Sequence, residues 1–448
     1  MGRTFYEINK IMKLFNTKYI KELFTLALPI IMGNLGLILL GAGDCFVAGR
    51  YSTEAVAAIS IATAIHATVA MFGIGLMFGI SPLLSNKRGA REGTKKYFFP
   101  SIRFALIVGI IMMLVTLAYI PLLDYLGLEP KLLSDVKTFT FIVAFSMIGG
   151  QINVTIKEFL QSYEIVFLPN LLLLLSVFLN IVLNFVFVYG YFGLPQMGVA
   201  GIALSTTFVR TILAIVFLSF CLIKFNFKNY VSPDYFKQLT RIGIPISTAI
   251  ITEFISFNYI AIILGRISGV YAAAHNIILV LCNASFMIPM GISNALAVKV
   301  GYYNGAKDYG EMIKFIKNGI GISMLIMSCA GVIFGLFPRQ LIGIFTADNN
   351  LINISVPVMY IVALFQLSDG MQAALGGIYK GLKKTKFVMI SNFISYIVIG
   401  ISLGTFLGIF RKMYLFGCWI AIAISSLMLA SILLVWLYFI LKKNRINA

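Results

Sequence analysis

A run of about 20 apolar residues recurs twelve times along this chain, and each run is long enough to cross a hydrocarbon core of roughly 30 Å. The runs fall at 25–47, 55–83, 99–122, 137–160, 166–190 and 197–223, then at 240–264, 270–299, 312–337, 352–379, 387–409 and 414–441. Lipid offers no partner to a backbone N–H or C=O, so such a segment spans as an α-helix that closes its own hydrogen bonds. A water-soluble fold is excluded on the same ground. Of the 448 residues, 60% are hydrophobic and 11% are charged, too few polar groups to clothe an aqueous surface. The expected fold is an all-α polytopic membrane protein with 12 transmembrane helices.

The net charge of +19 is not a nucleic-acid footprint, because the positive residues sort by loop. Most of the 35 Lys and Arg lie on one set of loops and ends. These include Lys87, Arg88, Arg91, Lys95 and Lys96, the stretch Lys224 to Arg241, Lys299 to Lys317, Lys380 to Lys386 and Lys442 to Arg445. The alternate loops hold few, among them Arg50, Lys131, Arg266, Arg339, Arg411 and Lys412. Cytoplasmic loops carry such an excess, which places both termini in the cytoplasm and the chain in the inner (plasma) membrane. The N-terminus has basic residues but no short apolar region followed by a cleavage site, so no removable signal peptide is expected. Five cysteines stand singly, with no pairing pattern.

The chain repeats itself at an offset of 216 residues. Pro29 meets Pro245, Gly49-Arg50 meets Gly265-Arg266, Ser52 meets Ser268, and Ala57-Ala58 meets Ala273-Ala274. Met71 then meets Met287, Gly75 meets Gly291, and Gly89-Ala90 meets Gly305-Ala306, all without a gap. Each half holds six spans, an even number, so both halves insert the same way. The expected architecture is two six-helix lobes, 1–225 and 226–448, related by a pseudo-twofold axis along the membrane normal with a cavity between them.

An ionisable group inside a span costs at least about 2.5 kcal/mol, so each one needs a reason. Three acids fall within or near the ends of spans: Asp44, Glu253 and Asp369. Under the repeat Asp44 faces Ile260, Glu253 faces Leu37, and Asp369 lies opposite Gly150 or a near neighbour. What the halves share is Gly, Pro, Ala and loop Arg, which packing and turns require. The acids belong to one half each, as a functional site laid over a duplicated frame should. Around Asp369, the residues Gln366, Gln372, Ala373 and Gly376 recur at helical spacing as one polar, small-residue stripe. Glu253 and Phe257 are i and i+4, as are Asn180 and Asn184, with Thr206 and Thr207 in the next span. Asn34 joins these as a candidate cavity residue. Lys157-Glu158 and Glu164 are expected in solvent near a span end, and Arg210 is expected to snorkel. His66 and His275 are the only histidines, so a metal cluster or a histidine-based catalyst is not expected, and His275 is expected to pack or hydrogen-bond. No GxSxG, HExxH or GxxxxGK[ST] occurs, and the chain is not expected to be an enzyme or to hold a cofactor.

The segments LALPI at 26–30, DCFVAGRYSTEAVAA at 44–58 and NIVLNFVFVYGYFGLPQMGVAG at 180–201 resemble the multidrug and toxic compound extrusion (MATE) family, in its NorM-like branch. So do IGIPISTAIITEF at 242–254, AAAHNI at 272–277, and QLSDGMQ at 366–372 before the GLKKTK loop. The resemblance implies export of lipophilic, often cationic small molecules by a monomer set in the lipid bilayer, which exchanges them for Na+ or H+. It ties cation binding to a first-span Asp, a seventh-span Glu and a tenth-span Asp, which match Asp44, Glu253 and Asp369, with Na+ at Glu253 and Asp369. The substrate cavity would draw on Asn34, Asn180, Asn184, Phe257, Gln366 and Gln372. The presence of all three acids favours the sodium-coupled branch; another branch associates proton coupling with a fifth-span Asp, and Asn180 and Asn184 stand there, which weakens that model but leaves proton use open. The alternatives are a lipid-linked oligosaccharide flippase of the wider superfamily, expected to carry several cationic residues in its cavity, and an exporter coupled to H+ only.

Overall fold

A computed structural model describes residues 16–446 apart from 228, 229 and 231. The extreme termini, expected in the cytoplasm from the loop charges, and Lys228 lie outside the described residues. Twelve helices among the described residues are long and apolar enough to span a bilayer. They are α1 Thr17–Tyr51, α2 Thr53–Gly89, α3 Thr94–Leu126, α4 Pro130–Ser162, α5 Phe167–Tyr189, α6 Val199–Lys224, α7 Pro233–Ile267, α8 Gly269–Ala306, α9 Tyr309–Leu336, α10 Asn349–Gly381, α11 Thr385–Phe410 and α12 Tyr414–Lys442. The fold class expected from the apolar runs is the one observed. Several helices outrun their apolar cores, as α1 does by starting at Thr17 with Lys18, Lys21 and Glu22 in its first turns. Long polar side chains are good helix formers, so the helix continues into the headgroup region.

The repeat is visible in local chemistry. The Ser52 hydroxyl caps α2 by accepting from the Ala55 N–H at 3.0 Å, and the Ser268 hydroxyl caps α8 by accepting from Val270 N–H at 3.3 Å. Both caps stand in extended backbone, so each satisfies an N–H that the helix itself leaves without a partner. α4 and α10 are each 33 residues long, and aligning them end to end sets Asp369 opposite Gly150.

The chain forms two compact units, one of Pro29–Ser247 and one of the chain up to Leu28 together with the chain from Thr248 onward. They are called the N-terminal and C-terminal units below. The polar loop at 225/226 separates the repeats along the chain, whereas contacts divide it inside α1 and α7, beside Pro29 and Pro245.

In the N-terminal unit α4 is the central helix and touches α2, α3 and α6. Glycines allow the close approach: a Cβ on Gly109 would lie 2.9 Å from the Ile148 backbone, and one on Gly149 would lie 3.0 Å from the Arg210 carbonyl. The first turns of α7 belong to this unit. Tyr235 stacks on Tyr97 with centroids 4.7 Å apart and shares a 2.7 Å hydroxyl bond with Ser101.

In the C-terminal unit α10 is central and touches α8, α9 and α12. A Cβ on Gly377 would collide with the Ser293 carbonyl oxygen, and one on Gly370 would lie 2.6 Å from the Met327 side chain. The first turns of α1 are held here. Tyr19 donates to the Glu311 carboxylate at 3.0 Å and meets Phe315 edge-on at 4.9 Å, while Lys299 pairs with Glu22 at 3.0 Å. Tyr19 and Tyr235 also stand 216 residues apart, so the repeat begins upstream of Pro29.

Candidate functional site

The C-terminal unit brings two of the three expected acids to one amide. Asp369 is 4% exposed on α10, and one turn later on the same face comes Gln372. The Gln372 Nε2 donates to Asp369 Oδ1 at 2.8 Å and lies 3.5 Å from Glu253 Oε1, on α7. Glu253 is only partly buried, and it lies within Coulombic range of Asp369. Tyr396 fixes which way the amide faces, because its hydroxyl donates to Gln372 Oε1 at 3.1 Å and so turns the NH2 toward the acids. Tyr396 is 1% exposed and sits in a π-helical stretch, Phe393–Ile401, that widens α11 at this level.

The neighbours of this acid pair are apolar or neutral. The Phe257 ring, one turn beyond Glu253, packs against Tyr396 at 6.1 Å and Trp419 at 6.5 Å. Its carbonyl lies 3.3 Å from His275 Nε2, so that nitrogen carries the donated hydrogen, and the His275 ring packs against Trp419 with centres 5.7 Å apart, the packing and hydrogen bonding the sequence leads one to expect. Gln366, one turn before Asp369 and fully buried, exchanges hydrogen bonds with Ser285 at 3.1 and 3.3 Å. Among the described residues no group of three or more His, Cys, Asp and Glu comes together.

Asp44 belongs to the other unit and is held by the asparagine pair. Asn184 Nδ2 donates to Asp44 Oδ1 at 2.7 Å and to Asn180 Oδ1 at 3.2 Å. Thr206 Oγ1 donates to Asp44 Oδ2 at 3.4 Å and lies 3.5 Å from Asn180 Nδ2. Asp44 is 8% exposed and both asparagines are fully buried. Thr207 is not part of this cluster: its hydroxyl donates to the Ala203 and Ile142 carbonyls.

Two readings of the basic residues need correction. Lys157 and Glu158 are buried, at 6% and 2% exposure, rather than solvated. Lys157 Nζ donates to Asn34 Oδ1 at 3.4 Å and sits in the Coulombic field of Glu158. The cause is their place on α4, the central helix of its unit, which packs against α2, α3 and α6. Nor does Arg210 snorkel. It donates to Ser146 Oγ at 2.8 Å, and its charge is felt at Asp44. Glu164 pairs with Arg88 at 2.8 Å and is only partly exposed. Asn34 is therefore grouped with Lys157, apart from the residues that bond to Asp44.

The sequence reading missed Tyr396, Trp419 and Ser285. A tyrosine inside an apolar run carries a hydroxyl that must find a partner, and that signal was available at Tyr396. Which partner it finds depends on helix packing, which spacing along the chain does not encode.

Comparison with known proteins places these clusters in context. The MatE family model matches residues 29–186 and again 245–406, so its two matches begin at the paired prolines. A probable multidrug resistance protein NorM of Photorhabdus laumondii is 27% identical over 440 residues, covering 94% of this chain and 96% of that protein. A protein of the same description from Chromobacterium violaceum is 27% identical over 461 residues, covering 98% and 97%. Among solved structures, the eukaryotic MATE transporter AtDTX14 matches with a TM-score of 0.85 at 19% identity, covering 96% of this chain and 99% of that one. A MATE crystal structure in the bent conformation gives 0.88 at 17% identity, covering 96% and 97%.

Proposed function

The chain belongs to the MatE family, and on that premise we propose that it exports lipophilic, often cationic small molecules in exchange for Na+ or H+ by alternating access. The relatives named as multidrug resistance proteins support export of small molecules. The observation that carries the coupling is the acid pair. Asp369 and Glu253 share one Gln372 amide in otherwise neutral surroundings, and two neighbouring carboxylates there call for a positive partner. A metal cation, a proton or the charge of a cationic drug each meets that need, and all compete for the same oxygens. A coupling ion entering from outside displaces the drug, and the drug entering from the cytoplasm displaces the ion. Coupling is then a difference in affinity between two states.

In this reading Na+ or H+ is exchanged cargo, with Na+ at Glu253 and Asp369, and Asp44 is a second cation-responsive group in the N-terminal unit. Asn180, Asn184 and Asn34 on one unit, and Phe257, Gln366 and Gln372 on the other, face the substrate. The protein works as a monomer in the inner membrane with both termini in the cytoplasm. A flippase for lipid-linked oligosaccharide is the second reading, and the buried Lys157 and half-buried Arg210 are what favour it. Each of them lies beside an acid, Glu158 or Asp44, so the interior charges are mixed and do not form the cationic cluster a pyrophosphate needs.

The test is efflux of a cationic dye from proteoliposomes under an imposed sodium or proton gradient, for the wild type and Asp369→Asn. Gradient-driven efflux is expected in the wild type and absent in the variant. Unchanged efflux in the variant rules out the acid-pair assignment; efflux indifferent to both gradients rules out antiport.

A further inference from the structure

Outside the acid clusters, the N-terminal unit carries a groove of about 410 Å³ between the start of α3 and the start of α7. Its size falls within the roughly 300–1,000 Å³ of sites that hold small molecules. Pro100, Leu106, Ile107, Pro233 and Phe236 make it apolar, and Arg103 is the one charged side chain that lines it. Arg103 is also the only ionisable residue of the helical stretch Phe98–Ala118. Its guanidinium donates to the Tyr230 carbonyl at 3.2 Å. A second cation converges on the same residue: Lys96 Nζ lies 5.3 Å from the centre of the Tyr230 ring. Lys237 and Arg241 are exposed further along α7, and Asp234 is the single carboxylate in its first turn.

An apolar trough lined by one guanidinium, with the Lys96 ammonium nearby over the Tyr230 ring, at the basic end of a membrane-spanning bundle, matches one amphiphile. We infer that the groove holds an acyl chain of an anionic phospholipid, with its phosphate on Arg103 and Lys96. The trough excludes water from the chain, and the planar guanidinium presents paired donors to phosphate oxygens. Such a lipid bridges α3 to the opening turns of α7, the segment up to Ser247 that the N-terminal unit holds through Tyr235. The inference needs the spans to cross a bilayer and does not depend on what is transported.

The experiment uses the purified full-length protein in a non-ionic detergent. Retained dioleoylphosphatidylglycerol and dioleoylphosphatidylcholine are counted by native mass spectrometry during titration. The wild type is expected to bind the anionic lipid roughly fivefold or more tightly than the zwitterionic one, the scale of one cation at a charged leaflet. Arg103→Gln loses that preference, Arg103→Lys keeps part of it, and Leu106→Trp, which fills the trough, weakens both lipids. Equal binding of the two lipids by the wild type overturns the proposal, as does an unchanged preference in Arg103→Gln when Arg103→Lys and wild type melt alike. Displacement of the lipid by millimolar inorganic phosphate overturns it too, since the site would then serve the free anion.

Discussion

In the proposed exchange Gln372 stands in for the coupling ion while the site is empty, and a double-mutant cycle tests that role. Its NH2 donates to Asp369 at 2.8 Å and reaches Glu253 at the 3.5 Å limit, while its carbonyl accepts from Tyr396 at 3.1 Å. In the ion-free site these bonds compensate the carboxylates in part; an arriving cation replaces them. Gln372→Leu removes the compensation, and one hydrogen bond to a charged group is worth about 1.5–3 kcal/mol. The longer contact to the partly exposed Glu253 adds little. A loss of about 2 kcal/mol from the empty site tightens coupling-ion binding roughly thirtyfold. Tyr396→Phe leaves the amide in place but frees it to turn away. A neutral hydrogen bond of about 1 kcal/mol is then lost, for roughly fivefold tighter binding. In the Gln372→Leu background the tyrosine has no amide to orient, so adding Tyr396→Phe changes nothing further, and the cycle returns a coupling energy near 1 kcal/mol. The assay is half-saturation of dye efflux by the external ion in proteoliposomes. Both single variants should show a lower half-saturation with slower turnover, because a tightly held ion leaves slowly. A raised half-saturation would refute the reasoning, since Gln372 would then be a ligand of the ion.

Three further outcomes follow from the same structure. Asp44→Asn keeps an oxygen for the 2.7 Å bond from Asn184, so the protein should fold with a loss of about 1 kcal/mol while gradient-driven efflux collapses; thermal unfolding and dye efflux measured together decide it, and full coupled efflux counts against a role for Asp44. Gly377→Ala drives a methyl into the Ser293 carbonyl at the α10–α8 contact and should cost about 1–3 kcal/mol, read as a lower midpoint in fluorescence-detected thermal unfolding; an unchanged midpoint would mean the helices separate without penalty. Ser52→Ala and Ser268→Ala each delete a helix cap and should each destabilise by about 1 kcal/mol, whereas Gly at either position costs only a few tenths; a large inequality between the two serines would show that the repeat does not share its capping energetics.

The architecture was legible because hydropathy acts locally: each apolar run declares a span without reference to its neighbours. Helix ends were less so, since polar residues such as Lys18 and Glu22 extend α1 without any hydrophobic signal. The acids stood out because lipid makes a lone carboxylate expensive, and the repeat showed that no shared scaffold demands them. Their partners were harder to see. The Gln372–Asp369 bond follows from spacing on one helix, but Tyr396 reaches Gln372 from α11, and Asn184 reaches Asp44 from α5. Lys157 shows the limit most clearly. A charged pair near a span end reads as solvated until packing shows that α4 is the central helix of its unit and buries both side chains.

Mutual exclusion at the acid pair is tested most directly by linked binding. The affinity of the purified protein for a cationic dye is measured by calorimetry at rising Na+, and its affinity for Na+ at rising dye, each at two fixed pH values so that proton competition is read alongside. Mutual exclusion predicts that each ligand weakens the other by the same factor, as linkage requires, and that Asp369→Asn abolishes the effect in both directions. Dye binding that is independent of both Na+ and pH in the wild type would contradict it.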